Sequence, residues 1–143
     1  MIASCGGYPK DLNFIQAHKA IHNSAAFVRD GGLLIVLAQC PDGWGTPHLR
    51  EWIAKRDLAV MESELRVRYE SHGQTAHAIL EKTTRVRGIL VSELDETETR
   101  LMGMEKAGDL AEALRMIPGL DAGRKGWLMP YAASTLPVSS TAV

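Results

Sequence analysis

Three observations predict an α/β domain of three layers, a mostly parallel sheet with helices on both faces in a Rossmann-like arrangement. First, Leu33 to Ala38 (LLIVLA) is a continuous apolar run between glycines and Cys40-Pro41-Asp42-Gly43, as expected of a strand covered on both faces. Second, the segment before it carries apolar residues at helical spacing. Third, the connections are short and built on glycine and proline, so strand, helix and strand form a βαβ unit. The 143 residues suit one domain, expected over residues 1–133, with a flexible tail over 134–143.

Met1-Ile2-Ala3-Ser4-Cys5 reads as the last residues of a buried strand, either a short edge strand or the remnant of a longer chain. The second is expected, because a domain seldom opens on half a strand. Gly6-Gly7-Tyr8-Pro9 is turn chemistry, with two residues free to take positive φ and a proline that cannot continue a ladder. Asp11 is then placed to cap a helix from Leu12 to Arg29, about five turns long. Its apolar positions are Phe14, Ile15, Ile21, Ala25 and Val28. Gly31-Gly32 is expected to end it. After the Leu33–Ala38 strand, Pro47 opens a helix containing Leu49, Trp52 and Ile53. Further helices are expected at Leu58 to Tyr69 and Gln74 to Val86. Arg87 to Leu94 reads as the next strand. Asp95 to Glu98 caps a short helix, Asp109 to Ile117 forms another, and Trp127 to Ala132 is a last strand that Pro130 assigns to an edge.

Sixteen basic and seventeen acidic residues leave a formal charge of −1. A near-neutral chain lacks the positive field that nucleic acid or an anionic membrane surface would require. No apolar run approaches the roughly 18 to 20 residues of a membrane span, and the start lacks the pattern of a secretory leader. Cys5 and Cys40 do not make a disulfide framework, so a reducing cytoplasm is expected.

The Gly6-Gly7 turn falls between a strand and a helix, where open α/β sheets bind ligands. It is not a G-x-G-x-x-G fingerprint, so the dinucleotide reading is weak. Gln16 and Lys19 stand three apart and share a helix face. An ammonium beside an amide suits a small carboxylate, the first supplying charge and the second a directional hydrogen bond. The competing reading is a solvated helix face. Lys10, in the turn, either reaches the same place or does not. His18 and His22 have the spacing of a two-ligand metal pair but no acidic or cysteine ligand beside them, and no metal site is assigned. Cys5 and Cys40 read as small core residues on the carboxyl edge of the sheet, since no base is identified to activate either. Asp42, Gly43 and Trp44 lie in the loop after the second strand. Trp44 is either a flat surface for a ring or partner, or a side chain folded back over the core.

The stretch Ser4-Cys5-Gly6-Gly7-Tyr8-Pro9-Lys10-Asp11-Leu12-Asn13, with Gln16 and Lys19 following, resembles the start of the C-terminal domain of the nickel-dependent lactate racemase family. The glycines before Leu33–Ala38, the Cys40 to Gly45 block and Ile89-Leu90-Val91-Ser92 are also similar to it. The likeness is sharp over Ser4 to Gly45, patchy to about Ile117 and loose beyond.

The resemblance implies a fragment of a two-domain enzyme that inverts a 2-hydroxy acid. In such enzymes hydride passes to a nickel pincer nucleotide and two histidines serve as acid and base. It implies that Lys19 neutralises the substrate carboxylate and Gln16 orients it. The acid–base histidines and the cofactor anchor belong to a missing N-terminal domain, so no catalytic residue is assigned here. No cofactor is expected on this chain alone, which is expected to be inactive. Where that family carries a tryptophan before the glutamine opening the helix expected at Gln74 to Val86, this chain has Gly73 before Gln74, a departure that bears on cofactor stacking and on which acid is accepted. The alternative function is a noncatalytic anion-binding or protein-interaction module using the same helix terminus. A fragment exposes the face that met its partner, so self-association is expected.

Overall fold

The computed structural model describes residues 1–120, 123, 125–136 and 138. Its centre is a five-stranded sheet in the order β4-β3-β2-β1-β5, parallel throughout. The strands are β1 (Ile2–Ser4), β2 (Leu33–Leu37), β3 (Arg87–Val91), β4 (Met104–Ala107) and β5 (Leu128–Met129). The helices are α1 (Phe14–Ala25), α2 (Pro47–Ala54), α3 (Leu58–Val67), α4 (Ser71–Arg85), α5 (Glu96–Leu101) and α6 (Leu110–Arg115). A 3-10 turn, Ala132–Ser134, follows β5.

Because side chains alternate along a strand, β2 and β3 each feed two cores. Leu34, Val36 and Leu90 pack with Phe14, Ile21, Trp52, Ile53 and Ile79 from α1, α2 and α4. Ile35 and Ile89 point the other way, to Ala107 and to Ala113 and Ile117 in and just after α6. The three-layer α/β architecture is therefore present. It is asymmetric, with one short helix covering the second face.

β1 is not an edge strand. It lies between β2 and β5, pairing Ile2 with Ile35 and with Leu128. β5 takes the edge, with Pro130 just beyond it.

Helix α1 is shorter than its periodicity predicts, at both ends. Asn13 caps it in place of Asp11, its Oδ1 accepting from Gln16 N at 3.2 Å. Asp11 is engaged elsewhere: its carbonyl accepts from Cys40 N at 2.8 Å and its carboxylate from Gln39 N at 3.4 Å. At the other end, Arg85 donates to the Ala25 carbonyl at 2.6 Å and the Val28 carbonyl at 3.0 Å. A guanidinium from α4 thus satisfies carbonyls that another helical turn would have used. Gly31, at φ +69°, turns the chain into β2 and does not cap the helix.

Strand β4 has no counterpart among the sequence expectations. Its inner residues are Glu105 and Lys106, so it reads as polar, yet both are satisfied. Glu105 forms a forked pair with Arg87 at 2.7 and 3.1 Å, and Lys106 donates to the Ser92 and Leu94 carbonyls.

Candidate functional site

The turn after β1 is shaped by Gly6 (φ +96°) and Gly7 (φ +75°), a backbone that a side chain would strain. At Gly6 a Cβ would also come within 3.1 Å of the Tyr131 ring. The turn therefore packs against the segment leaving β5, and Lys10 is delivered beside it.

Gln16 and Lys19 lie in the first turns of α1 and touch: Lys19 Nζ donates to Gln16 Oε1 at 2.8 Å. An ammonium has no acceptor, so the amide oxygen faces it, and among the described residues Gln16 Nε2 has no partner. Lys10, Gln16, Lys19, Ala133 and Ser134 line one cavity of about 130 Å³. Lys10 thus reaches the same place as the other two. It donates to Ser134 Oγ at 2.6 Å across 124 residues of sequence. Ser134 is the partner that sequence reasoning missed. It stands at the head of the segment expected to be a tail, and no local pattern marks it. Of that tail, residues 137 and 139–143 lie outside the described residues.

A second cavity, of about 360 Å³, lies at the carboxyl edge of the sheet, lined by Ser4, Gly7, Asp11, Gln39, Ser92 and Glu93 among others. The one turn therefore borders two depressions. Lys10 serves the basic one, while Gly7 and Asp11 serve the acidic one. Tyr8 stands 81% exposed and lines neither.

The loop holding Asp42, Gly43 and Trp44 is stitched to the turn before α1 through the backbone. Asp42 N donates to the Leu12 carbonyl, Phe14 N to Gly43 and Ile15 N to Trp44, at 2.8 to 3.2 Å. Those three residues do not line the cavity of Gln16 and Lys19. Trp44 folds back over the core, meeting Phe14 edge-on at 5.3 Å while its indole N–H donates to Glu98 at 2.7 Å.

Cys5 and Cys40 are both buried free thiols. Burial pushes Cys5 up to about 12, with Cys40 and Asp11 adding to it, and burial likewise pushes Cys40 up to about 11. Thiols held protonated in this way are core groups, not nucleophiles. Burial lowers the affinity of His18 for a proton, and its Nδ1–H donates to the Ile15 carbonyl at 2.7 Å, while His22 is exposed. Gly73 is buried against the Trp52 indole, where a Cβ would sit 2.7 Å from Cε2 and 2.8 Å from Leu65 Cδ2. The space a side chain would need at position 73 is already filled from α2 and α3.

On the far side of the sheet, a groove of about 870 Å³ runs between the starts of β1 and β2 and the residues after α6. Among its lining residues are Ile2, Phe27, Leu33, Ile117, Trp127 and Leu128. No helix among the described residues is long and apolar enough to cross a membrane.

A family model described as the lactate racemase C-terminal domain matches residues 1–123. Lactate racemase of Thermoanaerobacterium thermosaccharolyticum is 40% identical over 52 residues, which are 36% of this chain and 12% of that protein. Among solved structures, the lactate racemase apoprotein from the same organism matches with a TM-score of 0.81 at 28% identity, over 94% of this chain and 34% of that one. The present chain therefore spans about a third of the length of that solved relative.

Proposed function

The chain belongs to the lactate racemase C-terminal domain family, and from that premise we propose that it holds the substrate carboxylate for a 2-hydroxy-acid racemase or epimerase. The observation that carries this is the contact between Lys19 and Gln16. It leaves the Gln16 Nε2 hydrogens and two Lys19 hydrogens available to an anion beside a small cavity. Lys19 neutralises the carboxylate. Gln16 orients it, so that the hydroxyl-bearing carbon is presented in one pose to groups on a second domain.

That second domain is the partner we propose, and the greater length of the solved relative supports it. Hydride and proton transfer belong there, and this chain alone is inactive. The nickel pincer nucleotide expected of such an enzyme is also held there, because the residues here do not fit a nickel centre. Among the described residues no three His, Cys, Asp or Glu side chains converge, and the two thiols are buried and protonated. The free thiols suit a reducing compartment, and we place the enzyme in the cytoplasm.

The test has two arms. In the two-domain enzyme loaded with its cofactor, Lys19→Ala should cut inversion of the 2-hydroxy acid through a KM rise of roughly tenfold or more, the scale of a lost charge-assisted hydrogen bond. In this chain, lactate should shift the Gln16 side-chain resonances in nuclear magnetic resonance titrations, and Lys19→Ala should abolish the shift. Unchanged turnover in the first arm removes Lys19 from the site. Anion binding without any effect on turnover favours a noncatalytic anion-binding module.

A further inference from the structure

Lys10 and Lys19 share a feature that sets them apart from most basic side chains of this protein. Arg50, Arg85, Arg87 and Arg100 each face a carboxylate. Among the described residues neither Lys10 nor Lys19 does. Their partners are a hydroxyl, Ser134 Oγ at 2.6 Å, and an amide oxygen, Gln16 Oε1 at 2.8 Å. A neutral acceptor aims an ammonium without cancelling its charge. Both ammoniums line the same cavity of about 130 Å³, whose other members are Gln16, Ala133 and Ser134. Among the described residues no acidic side chain lines it. Its lining therefore carries, among the described residues, two positive charges and several unused N–H donors and no carboxylate.

Lys10 is not left to wander. Ser134 ends the 3-10 turn that follows β5, and that turn is locked onto α1. Asn23 Nδ2, buried in α1, donates to the Ala132 carbonyl at 2.7 Å, and Ala132 is itself fully buried. The far end of the domain thus carries the acceptor that holds Lys10 at the cavity.

One carboxylate compensates one ammonium. We propose, building on the reading that Gln16 and Lys19 receive the substrate carboxylate, that Lys10 receives a second acidic group, so that this site prefers a hydroxy dicarboxylate to a monocarboxylate. Lys10 is then a specificity-determining residue, and Ser134 is a positioning residue that acts through it.

The experiment titrates this chain with malate, lactate and inorganic phosphate at low, matched ionic strength, following the Lys10, Gln16 and Lys19 resonances. Malate should bind about fivefold or more tightly than lactate, the scale of one added charge pair near water. Lys10→Ala should bring the two affinities together by weakening malate about fivefold more than lactate, and Lys10→Gln, which keeps the turn polar, should do the same. Ser134→Ala should lower the malate preference, and Ser134→Thr, which restores the hydroxyl, should recover it. Equal binding of malate and lactate by the unaltered chain overturns the dicarboxylate preference and leaves the carboxylate reading standing. Lys10→Ala weakening both acids alike also overturns it. Phosphate binding more tightly than malate overturns it in favour of a phosphate subsite. If neither acid shifts Gln16, the carboxylate reading itself falls, and the preference with it.

Discussion

Asn23 donates its side-chain amide to the carbonyl of Ala132 at 2.7 Å, joining the middle of α1 to a segment 109 residues further along the chain. Both groups are buried, so the bond has no water to replace it. Asn23→Ala should cost about 1 kcal/mol, because it removes a buried hydrogen bond and leaves the Ala132 carbonyl only its bond from Thr135 N at 3.3 Å. Asn23→Asp should cost more, since a carboxylate cannot donate and would face that carbonyl. Urea unfolding followed by far-ultraviolet circular dichroism measures both. Equal stability of the Ala variant and the unaltered chain would show that the 3-10 turn does not depend on this anchor.

Glu98 joins two elements that the sequence keeps apart. Its carboxylate accepts from the Trp44 indole at 2.7 Å and from Arg50 Nε at 2.9 and 3.0 Å. Glu98→Ala leaves a half-buried indole N–H without its acceptor, at a cost of about 1–2 kcal/mol. It should also shift Trp44 fluorescence as the ring loosens. Glu98→Gln retains an acceptor oxygen and should keep most of the stability while losing the negative charge that faces Arg50. A Trp44 emission unchanged in Glu98→Ala would show that Phe14 alone holds the ring.

The two thiols make stability fall with pH in the alkaline range. Folded Cys5 and Cys40 titrate near 12 and 11, against about 8.5 for a thiol in the unfolded chain. Between those values the unfolded chain has released protons that the native state still holds. Their contribution is therefore complete below about pH 8.5 and diminishes as pH rises toward the folded values. The limiting slope is about 1.4 kcal/mol per pH unit for each thiol. Stability measured from pH 8 to 10.5 should decline more steeply in the unaltered chain than in a Cys5→Ala, Cys40→Ala double variant. The double variant starts lower, having lost buried volume, so the comparison is of slopes. Parallel slopes would show that the thiols do not titrate differently in the two states.

The groove beside α6 exposes Trp127 at 77%, Leu128 at 73% and Phe27 at 49%. Apolar surface gathered in this way tends to find a partner. Sedimentation velocity at rising concentration should show association, and Trp127→Lys with Leu128→Lys should reduce it. A single monomeric species at every concentration would count against the expectation.

Much of the architecture is legible in the residues because its signals are local. Leu33–Leu37 is apolar on both faces, with Gly31-Gly32 before it and the Cys40-Pro41-Asp42-Gly43 turn after it. Pro47 opens α2, and Asp57, Asp95 and Asp109 each cap the helix that follows, accepting from its first N–H groups. Where the reading departs from the structure, a distant partner decided the outcome. Asp11 and Asn13 are equally good caps by type, and Asn13 prevails because Asp11 is drawn into contact with Gln39 and Cys40. Helix α1 stops at Ala25 because Arg85 takes its carbonyls. Strand β4 hides behind Glu105 and Lys106, whose charges are met by Arg87 and by carbonyls of the loop after β3.

The same division runs through the candidate site. Gln16 and Lys19 are neighbours by helical geometry, since three residues along a helix return to one face, and no other part of the protein is needed to bring them together. Lys10 and Ser134 have no such relation. Their contact exists because the parallel sheet returns the chain to β1 at its last strand, and the buried Asn23–Ala132 bond then lays the following turn across α1. Short-range periodicity was enough to pair an amide with a cation. Only the closed tertiary structure could add a second cation, because the residue that holds it in place lies at the opposite end of the domain.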